Sequence, residues 1–226
     1  MIRLLLNYLF PPTCHICNSR LASGHRFLCE PCFSQLPATG YNDWESNKMT
    51  ERFAAVIPFE KCTSSFFYSR GSNISSLIQD FKYRSMPGLG ENLAMRATVE
   101  LLAAGFFADI DAIIGIPMHF LKRAGRGYNQ VDFITSGISK TAHLPVLKNL
   151  KALHRHGTQT HLNALERQKN LESTFGVDHP EELKGKHILL VDDVCTTGAT
   201  LIAATETLLK AQPDLRVSLY TLVCTT

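Results

Sequence analysis

The sequence predicts an α/β protein: a mostly parallel sheet with helices on both faces, preceded by a small cysteine-bearing module. Three observations carry this. Beyond residue 50, strand-like and helix-like segments alternate, the pattern of strands joined by helical crossovers. Runs such as "AIIGIP" (112–117) and "HILLV" (187–191) are continuously apolar, as strands covered on both faces must be. Before residue 50 the composition changes to two CxxC pairs, prolines and the polar "YNDWESNKMT" (41–50). The division is therefore a module over residues 1–50 and a sheet domain over 51–226, differing in composition and expected to differ in core.

In order, "FAAVIPF" (53–59) and "SSFFYSR" (64–70) read as strands. Ile74, Leu77, Ile78 and Phe81 fall on one face of a helix, and Leu89, Leu93, Ala97, Leu101 and Leu102 on that of another. The buried strand 112–117 follows, then a helix marked by Val131, Ile134 and Ile138. "LPVLKNL" (144–150) is a weaker strand, and "HRHGTQTHLNALERQKN" (154–170) is polar, a loop leading into a short helix. The strand 187–191, a helix over 199–211 and the strand "RVSLYTLV" (216–223) complete the pattern.

The chain has 226 residues, 45% of them hydrophobic, enough for one ordinary domain and a small module. A net charge of +3 is too weak to imply nucleic-acid binding by itself. No apolar run approaches the roughly 18 residues of a membrane span. "MIRLLLNYLFPPTC" is short, carries one Arg, lacks a small-residue cleavage pattern and runs into Pro11–Pro12. It reads as a packing segment in preference to a signal or membrane-surface helix. Seven cysteines, four clustered and Cys62, Cys195 and Cys224 scattered, do not make a disulfide scaffold. A reducing, cytoplasmic location is expected.

Cys14-x2-Cys17-x11-Cys29-x2-Cys32 has the form of two knuckles, each turning two thiolates toward one Zn²⁺ ion. Four cysteines leave no open coordination position, so the metal would be structural. Disulfides, incidental cysteines or a redox CxxC are the alternatives, and the gap of eleven is shorter than the commonest spacing. His15 and His25 are near enough to substitute as ligands but read as loop residues.

The second signal is "HILLVDDVCTTGATL" (187–201). Burying two carboxylates is costly, so a strand ending in Asp192 and Asp193 needs a reason. In an open parallel sheet, ligands sit beyond the carboxyl ends of the strands. Adjacent strand residues point to opposite sides, so both acids reach one ligand only if the chain is already turning there. The following "CTTGAT" would offer backbone N–H groups and hydroxyls to an anion at a helix N-terminus. Acids beside a phosphate cradle suit a ribose phosphate; the bland alternative is an acidic turn with Thr196 or Thr197 as helix cap. Walker A and GxGxxG patterns are absent.

"VDDVCTTGAT" resembles the phosphoribosyl-diphosphate (PRPP) loop of type I phosphoribosyltransferases. The resemblance implies that Asp192 and Asp193, the catalytic pair, hold the ribose hydroxyls while Thr196, Thr197, Gly198, Ala199 and Thr200 cradle the 5′-phosphate. It implies Mg²⁺ bound with the diphosphate. Further motifs narrow the family. "IPMHFLKRAGRGYNQVDFI" (116–134) resembles the P-x-H…R…RG[FY]NQ segment of the ComF family, the competence protein F and GntX-like relatives. "QDFKYR" (79–84) resembles their apolar–Lys–Tyr segment, and "LLNYLFPPTCHIC" (5–17) their entry into a zinc-ribbon-like module. "RHGTQTHLNALERQKNLESTF" (155–175) resembles their TxxQ…L…R…N…F segment through Thr158, Leu162, Arg167, Asn170 and Phe175, with Gln159 offset by one. Many relatives carry more than one pair of knuckles; with four usable cysteines the module here reduces to one site.

His119, Lys122, Arg123 and Arg126 follow a buried strand as the acids do, where a diphosphate could lie; the alternative is a solvated loop with Asn129 capping a helix. Lys82, with Arg84, ends a helix and either joins the PRPP site or only answers the helix dipole. Arg155 and Arg167 lie in a polar stretch that is either a lid or simply mobile. Cys195 is a small filler unless its pKa is lowered.

Two functions follow. One is phosphoribosyl transfer from PRPP, with no acceptor named by these residues; only the module and residues 33–52 are left to select one. The other, implied by the ComF resemblance, is binding of single-stranded DNA with the DNA-uptake machinery in natural transformation, for which Tyr83, Tyr128, Phe120 and Trp44 are candidate stacking residues unless they belong to the core. The GntX-like relatives imply a salvage or metabolic role instead.

Overall fold

Apolar side chains alternating along five parallel strands set the two faces of the molecule. The computed structural model describes residues 11–83, 86–118, 127–153 and 174–225. A short helix α1 (Glu30–Ser34) and a 3₁₀ turn (Thr50–Arg52) precede β1 (Cys62–Tyr68), α2 (Asn73–Tyr83) and α3 (Pro87–Ala103). Then come β2 (Ala112–Gly115), α4 (Gln130–Ala142), β3 (Val146–Leu147), β4 (Leu150–Ala152) and β5 (Phe175–Val177). A second 3₁₀ turn (Pro180–Leu183), β6 (His187–Cys195), α5 (Ala199–Ala211) and β7 (Arg216–Thr225) end the chain.

The sheet runs β1-β7-β6-β2-β3 with every neighbouring pair parallel, and β4 with β5 forms a separate antiparallel pair. Leu189 and Val191 of β6 join Ile113 and Tyr220 in a core covered by α2, α3 and α4. Ile188 and Leu190, one residue out of phase, join Ile114 and Leu219 in a core covered by α5. Helices on both faces are thus observed as expected.

The cysteine-bearing module does not keep a core of its own. Cys14, Leu21, Leu28, Cys32, Phe33 and Leu36 share the core under α2 and α3. The Arg96 guanidinium of α3 lies 3.7 Å from the centre of the Phe33 ring and pairs with Glu30. Composition differs across residue 50, but neither part buries its apolar surface without the other.

Two element assignments change. Residues 53–59 are not a strand: Val56 and Ile57 donate to the Phe53 carbonyl at 2.8 and 3.0 Å, a helical turn. Phe53 and Ile57, four apart, are the buried residues, so the period is that of a helix. The run 144–150 divides between β3 and β4 because buried Asn149 turns the chain, its amide donating to Asp178 and His179 carbonyls at 3.0 and 3.2 Å. The polar stretch 154–170 lies outside the described residues.

Candidate functional site

Strand β6 outlasts its neighbour. β2 ends at Gly115 opposite Val191, whereas β6 pairs with β7 through Asp192–Thr221, Val194–Val223 and Cys195–Cys224. The chain is therefore still extended at the acids, contrary to the turn the sequence reading required. Both nevertheless line one cleft of about 450 Å³, because beyond Val191 the β2 side of the strand is open. Lys82, Pro117, Met118, Asn129, Thr196 and Thr200 are among the other residues that line it.

Past Cys195 the backbone turns into α5. Gly198 is the N-cap, with φ +81°, and the Thr197 hydroxyl accepts from the Ala199 N–H at 3.4 Å. Thr196, Thr197, Gly198, Ala199 and Thr200 surround a smaller hollow of about 30 Å³, room for a few water-sized groups. Asp192, Val194, Thr196 and Thr200 line both spaces, so cradle and cleft adjoin.

Lys82 at the end of α2 reaches the Asp193 carboxylate at 2.7 Å, with side-chain exposures of 19% and 16%. Its role is thus more than to answer a helix dipole. The Asp193 N–H donates to the Asp192 carboxylate at 2.8 Å. The segment ahead of α4 holds Lys82 in place: the Tyr128 hydroxyl donates to the Phe81 carbonyl at 2.6 Å, and Gln130 to the Lys82 carbonyl at 3.4 Å. Asn129 caps α4 by accepting from Val131 at 3.3 Å, and its amide donates to the Ile116 carbonyl at 3.1 Å. The Tyr-Asn-Gln triplet thus ties the ends of α2, β2 and α4 together around the cleft.

Sequence reasoning missed Arg52. Its guanidinium donates to the Thr196 carbonyl at 2.5 Å and to the Thr225 carbonyl, bracing the cradle from behind. Arg52 and Thr196 are 144 residues apart, and nothing local marks the pair. Cys195 is 2% exposed, and burial pushes its thiol up against the opposing charge of Arg52. It is a filler, not a reactive thiolate.

His119, Phe120, Lys122, Arg123 and Arg126 lie outside the described residues, as do Arg84, Arg155 and Arg167. Met118 and Asn129, which flank the first group, line the cleft, and so do Ala152 and Thr174, which flank the stretch with Arg155 and Arg167. Of the candidate stacking aromatics, Tyr83 is exposed, Tyr128 packs edge-on against Phe133, and Trp44 packs against Phe106.

In the N-terminal module, the sulfurs of Cys14, Cys17, Cys29 and Cys32 lie within 4.8 Å of one another, and those of Cys17 and Cys29 are 3.7 Å apart. A tetrahedral zinc with Zn–S bonds near 2.3 Å needs sulfurs roughly 3.8 Å apart. The site fits one structural zinc with every position filled by protein. His15 and His25 are not part of the cluster; His25 lies 3.6 Å from Glu30.

Residues 89–225 match the family described as the phosphoribosyl transferase domain. The chain belongs to that family. Residues 5–42 match the double zinc ribbon domain, of which one four-cysteine cluster is present among the described residues. The chain is 32% identical over 133 residues to competence protein F of Haemophilus influenzae, an alignment covering 57% of this chain and 58% of that protein. It is 26% identical over 212 residues to the DNA utilization protein YhgH of Escherichia coli K12, covering 88% and 92%. It is 28% identical over 113 residues to competence protein ComFC of Bacillus subtilis, covering 49% and 43%. No described helix is long and apolar enough to cross a membrane.

Proposed function

We propose that the cleft at the end of β6 binds phosphoribosyl diphosphate with Mg²⁺. The observation that carries this is that cradle and cleft adjoin, with Asp192 in the lining of both. One molecule with a phosphate at one end and hydroxyls beyond it would occupy both. In this reading Thr196, Thr197, Gly198, Ala199 and Thr200 hold the 5′-phosphate, and Asp192 and Asp193 accept from the ribose hydroxyls. Lys82 lies beside the carboxylates, and Lys122, Arg123 and Arg126 are assigned to the diphosphate. Mg²⁺ takes oxygen ligands, and among the described residues the cleft lining contains carboxylates and no thiol or imidazole. When bound, the ion would neutralise the diphosphate as it leaves. The chain's own part in phosphoribosyl transfer is positioning and charge stabilisation, without a covalent intermediate.

In the same reading residues 1–50 are the zinc-binding module and 51–226 the phosphoribosyltransferase part. The relatives' names, competence protein and DNA utilization protein, support a role in competence and the use of DNA; in this reading the protein acts in the cytosol with single-stranded DNA and the uptake machinery as partners, and a salvage transferase is the alternative. Calorimetry of PRPP with Mg²⁺ tests the site. Binding at micromolar to millimolar ligand is expected, and none at millimolar ligand would overturn the reading.

A further inference from the structure

Arg52 reaches the cradle from a distant part of the chain. It ends the 3₁₀ turn Thr50–Arg52 and falls between the stretches 5–42 and 89–225 that match known domains. Its guanidinium forks across the carboxyl ends of two neighbouring strands. One terminal nitrogen donates to the Thr196 carbonyl, just past β6, at 2.5 Å, and the other to the Thr225 carbonyl at the end of β7. The Thr225 hydroxyl donates to the same Thr196 carbonyl at 3.4 Å. Phe53, next in the chain, packs its buried ring against Gly198. The turn is thus pinned to the loop at Thr196 and again at Gly198. Among the described residues, nothing before Lys82 lines the cleft or the hollow, so Arg52 stands behind the site and not in it.

The Thr196 carbonyl is one half of a peptide plane. In a trans peptide the C=O and the following N–H point in opposite directions. Holding the carbonyl on the Arg52 side therefore turns the Thr197 N–H away from Arg52. Among the described residues that N–H takes no acceptor, and neither does the N–H of Gly198. Thr197 and Gly198 both line the small hollow. With the plane reversed, a carbonyl oxygen would stand where an N–H now does, and an anion would be repelled instead of held.

We infer that Arg52 is a positioning residue for the anion: it holds the Thr196–Thr197 peptide so that the Thr197 N–H donates to the bound phosphate. It acts through the backbone and does not touch the ligand. The inference rests on the reading of the cradle as a phosphate site. A lysine at this position would keep the charge but lack the planar fork that spans two carbonyls.

Titration of the full chain with inorganic phosphate, followed by amide chemical shifts, tests it. In the wild type the Thr197 amide proton should move downfield as phosphate binds, along with that of Thr200. Arg52→Met keeps length and loses the donors. It should weaken phosphate by about tenfold or more, as for one lost charge-assisted hydrogen bond. At saturating phosphate the Thr197 shift should shrink in this variant while Thr200 still responds, and Arg52→Lys should recover part of both effects. The variants are read below their melting temperatures, because the fork also ties β6 to β7. A wild type in which Thr200 responds to phosphate and Thr197 does not overturns the inference, whether or not any variant folds. Unchanged phosphate affinity in Arg52→Met overturns it equally. So does a weaker affinity with an unchanged Thr197 response, which would mean that Arg52 acts by its charge alone. A wild type that binds no phosphate overturns the phosphate reading itself, and this inference with it.

Discussion

The Phe53 ring lies directly against Gly198: a Cβ built on that glycine would stand 2.6 Å from Phe53 Cε1. From the sequence, a bulky residue at 198 is expected to spoil the anion cradle and spare the fold, since the altered group faces the ligand. The structure corrects this. Phe53 is fully buried, and its backbone carries the turn that follows Arg52, the residue bracing Thr196. Gly198→Val should therefore cost stability, roughly 1–3 kcal/mol for overpacking with more for the left-handed backbone, besides abolishing phosphate binding. Thermal melts should show a clear drop for Gly198→Val, and Phe53→Leu in the same chain should restore part of it. A melt unchanged in Gly198→Val would show that Phe53 moves aside freely.

Asp192→Asn and Asp193→Asn keep size and lose charge. Each should weaken PRPP by roughly one to two decades, from charge-assisted hydrogen bonds worth about 1.5–3 kcal/mol. Inorganic phosphate should still bind. Calorimetry on wild type and both variants checks this; unchanged PRPP affinity in the variants would return the acids to a structural role.

Lys82 and Asp193 are both mostly shielded, so removing one partner strands the other. Asp193→Asn and Lys82→Met should each destabilise the chain, while the double variant should cost less than the sum of the two. Additive losses in denaturant titrations would show that the pair does not couple.

One zinc per chain is expected by elemental analysis. Because Cys14 and Cys32 share the core under α3, a strong chelator, or Cys29→Ser with Cys32→Ser, should do more than release an independent module. It should loosen α3 as well, read as faster amide exchange over 87–103. Full zinc retention in the double variant would sink the ligand assignment.

Single-stranded DNA binding, if assayed, should be mainly electrostatic, since a net charge of +3 leaves the local field to His119, Lys122, Arg123 and Arg126. Affinity should fall steeply with salt, and Lys122→Ala, Arg123→Ala and Arg126→Ala together should weaken all sequences alike. A salt-independent affinity would refute that placement.

Local pattern by itself determined the alternation of strands and helices, the four-cysteine ligand set and the stretch 192–200 as the place to look for an anion. Each of these depends on spacing within a few residues: a 3.6 or 2 residue period, a CxxC turn, a loop opening a helix. What only the tertiary structure decided depends on neighbours distant in the chain. Residues 53–59 have strand-like composition, yet their turn is chosen by packing Phe53 and Ile57 under α5 and Gly198. The two acids share a cleft because β2 stops at Gly115, a fact about another strand's length. Arg52 reaches Thr196 across 144 residues, and residues 39–44 are pinned to β1 at both ends, Thr39 donating to the Ser65 carbonyl and Cys62 to the Trp44 carbonyl. Backbone propensity and motif spacing act locally and can be read along the chain. Long-range pinning is a property of the closed fold, and no periodicity encodes it.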